Sequence, residues 1–167
     1  MDIKAKIFRL VKLAIKEKPL SLKGVTRDYR ILHRLSLLQE INPCVKKFTG
    51  GLPVICHQKI WGIQVTNHPE IYWRCLVVKR LNEIPLFTSF SLNSWLYLLK
   101  EVGLTEWVKF PCLPSSRIIN DYLKVFTKQL LKSGIIMMDG QTIILIRHPS
   151  SHRSLMNQYQ EIQRLIQ

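Results

Sequence analysis

Between Ser115 and Arg147 the chain reads SSRIINDYLKVFTKQLLKSGIIMMDGQTIILIR. This segment constrains the fold more than any other, because its hydrophobic period changes at a single glycine. Before Gly134, the residues Ile119, Tyr122, Leu123, Phe126 and Leu130 recur at the spacing of an amphipathic helix that opens on serine. After it, the apolar runs Ile135–Met138 and Gln141–Ile146 flank Asp139-Gly140, a strong local hairpin signal. A helix that stops at glycine and passes directly into a hairpin implies an α+β chain in which the two share a core.

The rest of the chain supplies more helices. Ile3, Ile7, Leu10, Val11, Ala14 and Ile15 predict a helix from Ile3 to Lys18, ended by Pro19 and carrying Lys4, Lys6, Arg9, Lys12 and Lys16 on its other face. A second is predicted from Val25 to Ile41. Leu52–Cys56 and Ile60–Val65 read as a hairpin around His57-Gln58-Lys59. Asn67, Pro69 and Glu70 resemble a helix start leading into IYWRCLVVKRL. Ile84-Pro85 is the best boundary candidate, dividing residues 1–84 from 85–167. Beyond it Ser91 caps a helix that stops at Gly103, Thr105–Phe110 reads as one short helical turn, and Pro111–Pro114 is a stiff loop. Ser115 or Ser116 caps the long helix, with Gly134 at its C-cap. A last helix carries Leu155, Tyr159, Ile162 and Ile166, a stripe that suits either dimerisation or packing on its own domain. Both halves follow the order helix, helix, hairpin, helix, so a tandem of two modules is one reading and a chance repeat of pattern is the other.

Charge points to the partner. Lys and Arg number 25 against 11 Asp and Glu, for a net charge of +14. Such an excess attracts polyanions, nucleic acid first and an anionic surface second. The mean hydropathy of +0.04 is high for so basic a chain, which suggests apolar surface covered by a partner or a second copy. No stretch predicts a membrane span, and the N-terminus lacks the features of a secretory signal. Cys44, Cys56, Cys75 and Cys112 show no disulfide spacing and read as buried thiols in a reducing compartment, which points to a cytoplasmic, nucleoid or nuclear location.

On the long helix, Arg117, Asn120, Lys124, Thr127, Lys128 and Lys132 lie off the apolar stripe, where they can reach base edges or phosphates. Ser115 and Ser116 can offer hydroxyls and backbone N–H groups to a phosphate at the helix start. Arg27, Arg30 and Arg34, with Lys23, form a second phosphate-tracking stripe. The run Leu130-Leu131-Lys132-Ser133-Gly134-Ile135-Ile136 followed by a hairpin resembles the winged-helix DNA-binding superfamily, over about residues 91–147. That resemblance implies that Ser115–Ser133 is a recognition helix entering a groove and that the hairpin is its wing. Residues 105–114 depart from the pattern, with prolines where a second helix is expected.

Other chemistries find little support. The basic N-terminal helix reads as a core helix with a solvated face, a source of phosphate contacts or a membrane-surface helix. Trp61, Tyr72, Trp73 and Arg74 would make a stacking platform for unpaired bases only if exposed, and burial is the better expectation. Cys56, His57, His68 and Cys75 lack the spacing of a zinc site, and Pro149 separates His148 from His152. Asp121 and Asp139 are the least implausible carboxylate pair, better explained by a helix first turn and a β-turn. No cofactor or metal is expected. The sequence therefore implies an α+β, winged-helix-like protein that binds nucleic acid, DNA before RNA, without catalysis, as a regulator or a replication or recombination accessory factor. The alternative is a structural subunit of a larger ribonucleoprotein or viral assembly. A homodimer or larger protein complex fits either reading.

Overall fold

A computed structural model describes residues 2–34, 51–62, 64–102, 106–149 and 154–166. It is a mixed α+β protein. Its elements are α1 (Ile3–Ala14), β1 (Lys16–Glu17), α2 (Leu22–Arg34), a 3₁₀ turn (Val54–Cys56), β2 (Ile60–Trp61) and α3 (Glu70–Glu83). They continue as β3 (Ser89–Ser91), α4 (Leu92–Glu101), α5 (Ser115–Lys132), β4 (Ile136–Asp139), β5 (Thr142–Leu145) and α6 (Leu155–Ile166).

The C-terminal elements follow their local signals closely. Ser91 caps α4, its hydroxyl accepting from the Ser94 N–H at 3.2 Å. α4 ends at Glu101, and the predicted stop at Gly103 lies outside the described residues. α5 ends one residue earlier than the sequence implies: Ser133 is its C-cap, Gly134 follows with φ of +68°, and the Ile135 N–H reaches the Leu130 carbonyl. β4 and β5 pair antiparallel with Asp139 opposite Thr142, so the two turn residues are Gly140 and Gln141. Only Gly140 of that pair has positive φ, +61°, which is the arrangement of a II′ turn and shifts the hairpin by one residue from a turn on Asp139-Gly140. β3 adds to the far side of β5, giving a three-stranded sheet in the order β3-β5-β4.

The N-terminal half departs from expectation. α1 stops at Ala14 because the next residues extend to pair with β2, Lys16 opposite Trp61. Val54–Cys56 forms the 3₁₀ turn, so the hairpin predicted over residues 52–65 is absent from the described residues, and with it the echo of the C-terminal hairpin. α2 is described to Arg34, and its predicted continuation to Ile41 lies outside the described residues. α3 forms as predicted, yet Pro69 is its N-cap, while Asn67 turns to Glu106. Residues 106–110 are not helical; Trp107 instead makes a β-bridge to Thr66. Cys56 and Cys75 are buried thiols as expected, but Cys112 is exposed because the proline-bounded loop before α5 runs over the surface. Cys44 lies outside the described residues.

One hydrophobic cluster runs from Ile15 to Leu145 and crosses the Ile84-Pro85 step without a break. Trp73 sits at its centre, edge-on to Trp107, Tyr122 and Phe126, with its indole N–H on the Leu99 carbonyl at 3.2 Å. A smaller cluster of Val25, Val54 and Ile162 docks α6. That helix faces the body with Gln158 and Ile162, leaving Tyr159 and Ile166 of its apolar stripe exposed.

Candidate nucleic-acid interface

α5 is anchored by Ile118, Ile119, Tyr122, Leu123, Phe126 and Leu130, all buried. Burying this arc turns the opposite one outward, and there Arg117, Asp121, Lys124 and Lys128 follow one another at i, i+4, i+7 and i+11. At a rise of about 1.5 Å per residue the three cations span about 16 Å along the axis, room for several backbone phosphates. All three are exposed, and among the described residues none makes an ion pair. Their charge is thus directed at solvent.

The other sequence-derived contacts are placed less favourably. Thr127 belongs to the core: its hydroxyl accepts from the Trp95 indole at 2.9 Å and donates to the Leu123 carbonyl, so it cannot face a ligand. Ser115 is committed to its loop, accepting from the Phe110 N–H at 2.8 Å, and neither Ser115 nor Ser116 caps the helix because Pro114 holds that position. Ser116 is exposed in the first turn. Asn120 is half-buried at the flank, its Oδ1 meeting no donor among the described residues. Lys132 pairs with Glu17 of β1 at 3.0 Å, which fixes the end of α5 against the N-terminal half. The hairpin carries no cation: Met137, Met138, Asp139, Gln141 and Thr142 are among its exposed residues. Arg147, just beyond, donates to the Ser133 carbonyl.

Arg27, Arg30 and Arg34 project from α2 with Lys23, all exposed, beside the half-buried Ile31. α2 packs on α3, whereas α5 packs on α4, β4, α1 and β2, so the two basic stripes belong to separate elements.

A buried polar network lies between those elements, and no spacing in the sequence signals it. Arg74 is fully enclosed: it donates to Glu70, to the Ile55 carbonyl and to Gln129 Oε1, each at 2.8 Å, and stacks over the Phe126 ring. Asp28 accepts from His57 Nδ1 at 2.8 Å and from Lys59 at 2.9 Å. Gln158 of α6 donates to the Leu52 carbonyl and to the Tyr29 hydroxyl, closing the far side. Burial pushes the His57 imidazole below its ordinary value, against the Asp28 bond that raises it. Its Nε2 meets the Gln158 amide at 3.4 Å, and the Tyr29 ring lies 5.4 Å from the imidazole. His57 is only 3% exposed, and with Asp28 and Lys59 it lies along the wall of an open pocket that Lys18, Ser21 and Arg27 also line.

That burial gives stability a pH dependence. The unfolded imidazole takes a proton near 6.5 while the folded one resists it, so the native state binds fewer protons just below that pH. The contribution of His57 is therefore intact above pH 6.5 and falls as pH drops toward the depressed folded value. Urea unfolding at stepped pH should show this decline, and His57→Asn should flatten it. Equal slopes in the two proteins would contradict the assignment.

The remaining sequence candidates do not converge. Among the described residues no group of three His, Cys, Asp or Glu side chains is placed to hold a metal ion. Tyr72, Trp73 and Arg74 are buried, leaving Trp61 as the exposed member of the stacking set. No helix among the described residues is long and apolar enough to cross a membrane. Comparison with family models, curated proteins and solved structures finds no match to this chain.

Proposed function

We propose that residues 70–147 form a winged-helix-like module that binds nucleic acid through α5, without catalysis. The observation that carries this reading is the row of Arg117, Lys124 and Lys128, turned outward with no ion pair among the described residues. The order of elements supports it. The helix that such a module needs before its recognition helix is α4, one element earlier than residues 105–114. The described residues 106–114 form no helix, so on this reading they belong to the connection between α4 and α5. β3 completes the sheet beside the hairpin, and the shared core joins α3 to this unit across the Ile84-Pro85 step.

Duplex DNA is favoured over RNA. α5 presents one long convex helix, the shape that a major groove admits. The stacking set for unpaired RNA bases is reduced to Trp61, because Tyr72 and Trp73 are buried, and Trp61 lies on β2 rather than on α5. Arg117, Lys124 and Lys128 would neutralise phosphates, and the α2 stripe of Arg27, Arg30 and Arg34 would extend the contact. A role as a regulator or as a replication or recombination accessory factor fits that chemistry.

The test is a binding titration over a range of salt concentrations with duplex DNA, single-stranded DNA and RNA. Log affinity should fall steeply with log salt, and Lys124→Ala and Lys128→Ala should each reduce the slope by about 1. Unchanged affinity and slope for every nucleic acid would overturn the assignment. A second reading, a subunit of a larger assembly, rests on the exposed Met156, Tyr159, Leu165 and Ile166 of α6. It would show as aggregation relieved only by a co-expressed partner.

A further inference from the structure

α1 has twelve residues and none of them is buried. Phe8 and Val11 rest half-buried against the main core, and Ile15 follows them into it. These three positions, spaced i, i+3 and i+7, use up the face of the helix that meets the body. Ile3, Ile7, Leu10 and Leu13 lie elsewhere on the circumference and are 45–72% exposed. The apolar periodicity that suggests a core helix therefore belongs in large part to an outward face.

Lys6 and Arg9 lie on or beside that outward face, and Lys4 and Lys12 flank the stripe that meets the body. Lys4, Lys6, Arg9 and Lys12 are all exposed, and among the described residues none is in an ion pair. The one acid of the segment, Asp2, is occupied as the N-cap, accepting from the Lys4 N–H at 3.0 Å. Directly after α1, β1 pairs with β2 and brings Trp61 out to the surface, with the Lys16 ammonium 5.2 Å from its ring centroid. Four branched aliphatic side chains thus share the outward face with Lys6 and Arg9, with Lys4 and Lys12 at its margins and an exposed tryptophan beside the end of the helix.

We infer that α1, with Trp61 beside it, is an interfacial helix that docks on an anionic lipid surface. Charge complementarity and apolar exposure select this occupant together. Phosphates of a nucleic acid would satisfy the cations but leave Ile3, Ile7, Leu10 and Leu13 in water. A bilayer rich in anionic headgroups satisfies both, since lysine and arginine stems reach up to the headgroups while the aliphatic side chains enter the acyl boundary. Tryptophan at that depth keeps its ring apolar and its N–H hydrated. At twelve residues the helix lies in the interface and does not span it. The inference stands on observations separate from those at α5.

Cosedimentation of the full chain with phosphatidylcholine vesicles, with and without phosphatidylserine, tests it. Binding should require phosphatidylserine, weaken with salt, and shift Trp61 emission to shorter wavelength, a shift absent in Trp61→Phe. Leu10→Ser/Leu13→Ser removes apolar surface without changing charge, and both sites are exposed, so the fold should persist by circular dichroism. That variant should bind phosphatidylserine vesicles on the order of tenfold more weakly and nucleic acid as before. Vesicle binding equal to that of the unmodified protein would overturn the inference, because bulk positive charge alone would then explain it. Absence of binding at low salt would also overturn it, as would self-association that depends on Leu10 and Leu13 without any affinity for vesicles.

Discussion

Replacing Arg74 with methionine is expected to lower the free energy of unfolding by about 3–5 kcal/mol, the range for breaking a buried ion pair from one side. The side chain is fully enclosed and its donors serve three segments: Glu70 within α3, the Ile55 carbonyl in the 3₁₀ turn and Gln129 on α5. Methionine fills much of the volume but donates nothing, so two buried acceptors and a partly buried carboxylate lose their partner together. The Glu70 carboxylate has a second task, accepting from the Ile60 N–H at 3.2 Å, which ties β2 to α3. Arg74→Met/Glu70→Gln should therefore recover part of the loss, since glutamine keeps an acceptor for Ile60 and removes the uncompensated charge. Urea denaturation at neutral pH measures both. A loss below about 1 kcal/mol for the single substitution would mean that the network contributes little beyond packing.

The consequence for architecture is that the chain's two halves are joined by polar as well as apolar contacts. Gln129 donates to the Lys59 carbonyl, and Lys132 reaches Glu17, so α5 is held from the N-terminal side along its last turns. The face bearing Arg117, Lys124 and Lys128 is then presented by a helix fixed at several points, which favours binding without a large ordering cost.

The C-terminal elements are legible in the sequence because their signals are local. Ser91 caps α4, Gly134 ends α5, and the glycine of Asp139-Gly140 sets a two-residue turn, each through neighbouring residues alone. The N-terminal strands are not legible. Ile60-Trp61 looks like half of a local hairpin, yet its partner is Lys16-Glu17, far back along the chain, and no residue pattern announces such a pairing. The same limit hides the polar network, in which Tyr29 meets Gln158 across most of the chain. On α5 the basic residues are visible but their sorting is not. Thr127 and Lys124 are both polar in a helical projection, and only the position of Trp95 puts Thr127 inside. On α1 the apolar stripe is plain, while the direction it faces depends on which side Phe8 and Val11 find the core.

Reversing the three outward cations, Arg117→Glu/Lys124→Glu/Lys128→Glu, is expected to weaken duplex DNA binding on the order of a hundredfold or more, because each loses a phosphate contact and adds repulsion. All three side chains are exposed, so stability should change little. A net charge of +14 attracts any polyanion through bulk electrostatics, and a site must be separated from that background. Lys6→Glu/Arg9→Glu/Arg164→Glu serves this purpose, since it removes the same charge from exposed positions on α1 and α6, outside residues 70–147. The decisive measurement is the affinity of both variants for one duplex at one salt concentration near physiological. A binding face on α5 requires a large loss for the first variant and a small one for the control. Equal losses in the two would contradict that face, and would assign the binding to net charge alone.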